Sequence, residues 1–154
     1  YESPENVLFV VNEKLRVLSR DEWVIAIGAT EEGVGVCYEV AKELGFETIG
    51  IVSTQALSYS GKFSDYVDMI YIVNDELWGG YIPGTNKLAE TTKAFLSCSD
   101  FILALGGGDN TTITLTAAKS IQLPYEYIPF DMNHENAKKK QITDVRGSAF
   151  IFAQ

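Results

Sequence analysis

The sequence predicts an α/β, Rossmann-like fold: a three-layer sandwich with a central, mostly parallel sheet, made as one domain over residues 1–154. Three observations predict it. Short β-branched and aromatic runs alternate with segments of helical period, the order of strand–helix–strand units. Residues 23–28 and 100–105 are almost uninterrupted apolar runs, as expected of strands buried on both faces. Both runs lead through glycine into the next segment, where right-handed crossovers place helices on both faces and reverse the strand order. A chain of 154 residues lies within the ~100–200 typical of one domain.

Each element follows from its residues. Residues 7–11, Val-Leu-Phe-Val-Val, read as a first strand. Residues 12–22 are polar, with Leu15, Val17 and Leu18 able to pack, and fit a short strand pair or a loop. Residues 23–28 form the next strand. From 31 to 44, Val36, Val40 and Leu44, with Cys37 and Ala41, recur at three- and four-residue spacings and make one helical stripe. Gly45 closes that helix. Strands follow at 47–52 and 68–73, then a Gly- and Pro-rich loop at 74–84. Residues 85–97 carry helical period through Leu88, Thr92, Phe95 and Leu96. The strand at 100–105 ends in Gly106, Gly107 and Gly108, and a helix spans 112–121. Residues 124–129 make the last central strand, 133–140 a polar helix and 149–153 an edge strand.

Composition narrows the function classes. A hydrophobic fraction of 46% is ordinary for a globular chain and too high for a disordered tail. With 21 acidic against 12 basic residues and a net charge of −9, gripping a nucleic-acid backbone is not expected. Cys37 and Cys98 make no disulfide framework, which fits a reducing cytoplasm, and both read as small core residues. No apolar run approaches the ~20 residues that span a bilayer, so no membrane partner is expected. No charged-then-apolar leader opens the chain, and its first residue, Tyr1, suggests a piece of something longer.

In an open parallel sheet, ligands collect beyond the carboxyl ends of the strands. Two glycine turns fall there: Gly28-Ala29-Thr30-Glu31-Glu32-Gly33-Val34-Gly35 and Gly106-Gly107-Gly108-Asp109-Asn110-Thr111-Thr112. Glycine lets backbone approach a ligand, and the following helix start offers unpaired N–H groups and a positive dipole end. Such a site needs no lysine and tolerates the acidic balance. Candidate ligand-binding residues are Gly28, Ala29, Thr30 and Gly33 in the first turn, and the whole of the second, where Thr111 and Thr112 add hydroxyls and Asn110 an amide. The alternative is that both turns serve packing alone. Neither matches G-x-G-x-x-G or the lysine-bearing phosphate loop.

Asn74-Asp75-Glu76-Leu77-Trp78-Gly79-Gly80-Tyr81 also follows a strand. Trp78 is placed to meet a base or sugar, and the two carboxylates, Asp75 and Glu76, beside two aromatics can clamp a ribose; alternatively Asp75 or Glu76 acts as a general base if burial raises its pKa. Otherwise Trp78 is a packed anchor and the acids are solvated. Ser53-Thr54-Gln55 either touches ligand or starts a turn. Asp131, His134 and Glu135 match no strong zinc spacing, and Asp131 or Asn133 suits a helix cap, so neither a metal nor another cofactor is expected. Lys138, Lys139 and Lys140 read as a solvated helix end.

The stretch Ser99-Asp100-Phe101-Ile102-Leu103-Ala104-Leu105-Gly106-Gly107-Gly108-Asp109-Asn110-Thr111 resembles the "SDAF-I-A-L-P-G-G-x-G-T" segment of the lonely-guy family, also called lysine-decarboxylase-like proteins. That family shares a Rossmann-like superfamily with DNA-processing protein A and nucleotide-sensing domains, and the likeness runs from Gly28 to about Pro129. The resemblance implies the fold, a nucleotide-type pocket and a homo-oligomer formed through helices. Family enzymes cleave base from ribose phosphate with an Arg and a Glu. The matching positions here are Thr91 and Thr114, which can neither move a proton nor hold a developing charge as those groups do. The leading expectation is therefore binding of a nucleotide or other phosphorylated metabolite without that hydrolysis. Two alternatives stand beside it: an enzyme acting at a ribose-linked bond through Asp75, Glu76 or Asp109, and an interaction module with no ligand.

Overall fold

The computed structural model describes residues 1–58 and 62–131. Where residues 7–11 read as a strand, the chain forms helix α1 (Pro4–Leu15), with proline in its first turn, where no N–H is missed. Val7, Val11 and Leu15 recur every four residues and are its buried residues. Five apolar residues cannot distinguish a two-residue from a four-residue period; the continuation to Leu15 can. The helix cost of valine is a few tenths of a kcal/mol, against roughly 1.5–3 kcal/mol for burying it.

β1 (Val24–Ile27) follows a turn. The helix expected from 31 is in two parts, a single 3₁₀ turn at Gly33–Val36 and α2 (Cys37–Glu43), whose Cys37, Tyr38, Val40 and Ala41 are buried. Gly45, at φ +85°, closes α2 in a Schellman motif: its N–H donates to Lys42 O at 2.9 Å, and that of Phe46 to Ala41 O at 3.0 Å. β2 (Glu47–Ser53) and β3 (Met69–Val73) stand where expected, with a 3₁₀ turn at Thr54–Leu57 between them. α3 (Glu90–Cys98) starts later than its periodicity suggested. The chain before it is held by a turn at Pro83 and Gly84, where Thr85 N–H meets Ile82 O at 3.0 Å, and by pairing of Tyr81 with Leu88. β4 (Ile102–Leu105), α4 (Asp109–Ser120) and β5 (Tyr125–Ile128) complete the described elements, with α4 beginning directly after Gly108.

Among the described residues the five named strands form parallel ladders in two pieces, β1–β2–β3 and β4–β5. Among the described residues β1 and β4 share no ladder, but they share a core. Val7, Val11 and Leu15 of α1 cluster with Cys37, Val40, Ala41, Phe46 and Leu105, and Ile25, Ile27, Leu103 and Ile128 pack against them. A Lys14–Glu126 ion pair at 2.6 Å also ties α1 to β5. The α/β, Rossmann-like class thus stands, with its parallel strands held together by helix packing at the join. Tyr38, fully buried, aims its hydroxyl at Ile27 O and Ile49 O at 3.0 and 2.8 Å, near the carboxyl end of β1. Burial pushes its ionisation well above the ordinary range, so it stays a neutral donor. A second cluster of Ala29, Val52 and Ala56 takes in Phe63, Ile70 and Trp78. The helix expected at 133–140, the strand at 149–153, and His134, Glu135 and the three lysines lie outside the described residues.

Candidate functional site

At the end of β4 the backbone enters the left-handed region, at φ +63° for Gly106 and +104° for Gly107, where only glycine sits without strain. Gly106 is held down: its N–H donates to Ile128 O at 2.8 Å, and a side chain there would meet Phe130 O at 2.7 Å. Tyr1 closes the same corner. Its hydroxyl donates to Leu105 O at 2.8 Å, and its ring lies edge-on to Phe130, centroids 6.1 Å apart. Gly107 and Gly108 are half-buried, and the α-carbon of Gly107 lies so close to the side chain of Thr111 that a Cβ there would clash with it. Gly108 is the N-cap position of α4 and brings no side-chain cap, and the turn faces a groove of about 550 Å³.

One wall of that groove is a stripe along α4, Thr111, Thr112, Leu115, Thr116 and Lys119. The other is Tyr125 and Tyr127, two apart on β5 and therefore on one face of it, 40% and 48% exposed. Thr112 and Thr116 return their hydroxyl protons to the helix, to Gly108 O at 3.2 Å and Thr112 O at 2.8 Å. Asp109 is exposed in the first turn, where its charge suits the helix dipole. A second, smaller cavity of about 290 Å³ has Glu31, Glu39 and Asp65 among its lining residues, a poor setting for an anion.

The first glycine turn is built into the fold. Ala29 and Thr30 are buried, and residues 29–31 pair with 62–64: Thr30 bridges Phe63, Ser64 N–H meets Ala29 O at 2.9 Å, and Glu31 N–H meets Lys62 O at 3.1 Å. Gly35 lies directly on Thr30 O, and a side chain on Gly50 of β2 would come within 2.7 Å of Ala29 Cβ. Gly33 takes φ +62° at the 3₁₀ turn, and Gly28 has open space at its α-carbon. These contacts are those of close packing.

The loop after β3 is organised by Asp75. Its buried carboxylate accepts Leu77 N–H at 2.9 Å, and Thr91 N–H and Oγ1–H at 2.8 and 2.7 Å. It thereby caps α3, whose own N-cap position is Ala89. Glu76 is exposed. Trp78 packs into the second apolar cluster and does not line the groove beside α4. The glycines beside it serve the fold: Gly80 N–H donates to Thr92 Oγ1 at 2.8 Å, and its α-carbon presses against the amide oxygen of Asn110. That contact brings the loop after β3 to the start of α4. Thr91 is committed to Asp75, and Thr114 donates to Asn110 O at 2.8 Å. Ser53 and Thr54 hydroxyls hold Asp75 O at 3.0 and 2.7 Å, so this stretch starts a turn.

Tyr125, Tyr127, Lys119, Tyr1 and Phe130 were missed from sequence; only the Tyr-Glu-Tyr alternation of β5 signalled an aromatic face. Cys37 is buried and its thiol is pushed up to about 12, so it stays protonated and inert. Among the described residues no three His, Cys, Asp or Glu side chains gather to hold a metal ion, and no helix is long and apolar enough to cross a membrane. No protein-family model, curated protein or solved structure matches the chain. Fold and site together define a class: an α/β protein with a glycine turn at a strand end, opening on an aromatic-walled groove.

Proposed function

We propose that the chain binds a nucleotide or nucleotide-derived metabolite, its phosphate on the turn from Gly107 to Thr112 and its base or sugar against Tyr125 and Tyr127. One observation carries this reading: a single groove is lined by the glycine turn, the start of a helix without a side-chain cap, and two half-exposed tyrosines. Main-chain N–H groups at a helix start favour an anion, and tyrosine faces accept a planar ring. The 12 residues of α4 run about 18 Å at 1.5 Å each, room for a phosphate at one end and a base further along. Lys119 offers a positive charge at the far end. Trp78, expected near the base or sugar, packs on the second apolar cluster, which favours the tyrosines for that role. The reading is of binding without the hydrolysis of the resembled family, since Asp75 serves as a cap and Thr91 and Thr114 are bonded elsewhere. A cytoplasmic location belongs to the same proposal, because two cysteines in the sequence make no disulfide framework.

Calorimetry against mono-, di- and cyclic nucleotides tests it. At least one is expected to bind. Tyr127→Ala and Lys119→Glu should each weaken it about tenfold, and Asp109→Asn should tighten it by removing a like charge. No heat from any member of the panel refutes the reading.

A further inference from the structure

We infer that β3 is a pairing edge, through which two copies of this chain join their sheets in antiparallel register about a two-fold axis at Tyr71. β3 ends the β1–β2–β3 sheet, and among the described residues no strand covers its outer side. Met69-Ile70-Tyr71-Ile72-Val73 contains no charge, proline or glycine, and Met69, Tyr71 and Ile72 are 49%, 52% and 46% exposed. Natural edges are ordinarily blunted by charge, proline or a bulge. β5 is blunted in this way: Pro124 and Pro129 flank it, and Glu126 sits at its centre, paired with Lys14. The contrast marks β3 as an edge meant to be covered.

The occupant is a second copy because the strand complements itself. With Tyr71 opposite Tyr71 of the second copy, Met69 faces Val73 and Ile70 faces Ile72. The next pair outward is Asp68 against Asn74, so no two carboxylates oppose each other in a chain of net charge −9. Asp68 is also balanced within its own chain, both oxygens 2.8 Å from Lys42 Nζ. Each copy gains backbone pairing for N–H and C=O groups that otherwise face water.

Light scattering on the eluting protein tests this, with Cys98→Ser as background for cross-linking. The expected mass at high micromolar concentration is twice the 17.0 kDa of one chain, and Tyr71→Lys should return it to one chain with an unchanged circular dichroism spectrum. Tyr71→Cys should form an intermolecular disulfide on oxidation, since directly opposed residues lie about 4.5–5.5 Å apart. Met69→Cys, opposite Val73, should not. A single-chain mass at every concentration overturns the inference, whether the edge is bare or covered from within. So does a Tyr71→Lys protein that folds and stays dimeric, or equal cross-linking from both cysteine positions.

Discussion

A carboxylate buried in protein keeps its place only when donors replace the water it has lost. Asp75 meets that condition with three, one of them a hydroxyl and two of them backbone N–H groups. Removing it strands the first turn of α3 and the N–H of Leu77. Asp75→Ala should therefore cost about 3 kcal/mol in urea unfolding while leaving nucleotide affinity, measured on the folded protein, unchanged. A large drop in affinity with full stability would return Asp75 to the candidate site. The sequence offers three readings of this acid, a ribose clamp, a general base or a solvated side chain; it is buried, not solvated, and its carboxylate caps α3. Caps are read from the residue just before a helix, and Ala89 occupies that position. The donor–acceptor match comes from a loop sixteen residues upstream, which no local pattern displays. Gly79 and Gly80 misled for a similar reason: glycine signals close approach, but not to what, and here the approach is to Thr92 and Asn110.

Elements were legible wherever one period ran long enough. β1, β3, β4 and β5 lie within the apolar runs that announced them, β2 runs one residue past its own to Ser53, and Gly45 ends α2 as its sequence suggested. α1 was not legible as a helix from 7–11, because strand composition and a helical face coincide there until Leu15 decides between them. At this scale one ion-paired corner ties three elements together. Asp68, just before β3, accepts from Thr48 N–H of β2 at 2.8 Å and from Lys42 Nζ of α2 at 2.8 Å. The Lys42 hydrogen bond first, and the Thr48 N–H next, hold its carboxyl below the usual range. A depressed folded pKa stabilises fully above the unfolded value near 3.9 and is lost as pH falls through the folded value. Asp68→Asn should thus lower the melting temperature at pH 7. That difference should shrink steadily below about pH 4. The corner is largely exposed, so the effect is modest and fades with salt. A gap that persists unchanged at pH 2.5 would mean the charge is not what matters there.

Among the described residues the two strand sets depend on a join that their ladders do not make. Three strands and two strands form separate hydrogen-bonded pieces, yet Val7, Val11 and Leu15 of one helix pack in the cluster that Leu105 of β4 enters and that Ile25 and Ile27 of β1 touch. If that shared core makes one cooperative unit, damage to it should be felt on both sides equally. Val7→Ala, at a residue with no exposed surface, should cost about 2 kcal/mol. The two tryptophans allow the cost to be followed: Trp23 packs on the α1 cluster, whereas Trp78 belongs to the other. In a Trp23→Phe background, Trp78 fluorescence should shift its urea midpoint together with far-UV circular dichroism, and hydrogen exchange in β4 and β5 should quicken by the same free energy. Were Trp78 to keep its midpoint while β4 and β5 loosened, the sheet would be two folding units. The groove beside α4 would then sit on the less stable of them, and ligand binding there would tighten β4 and β5 without touching β1 to β3.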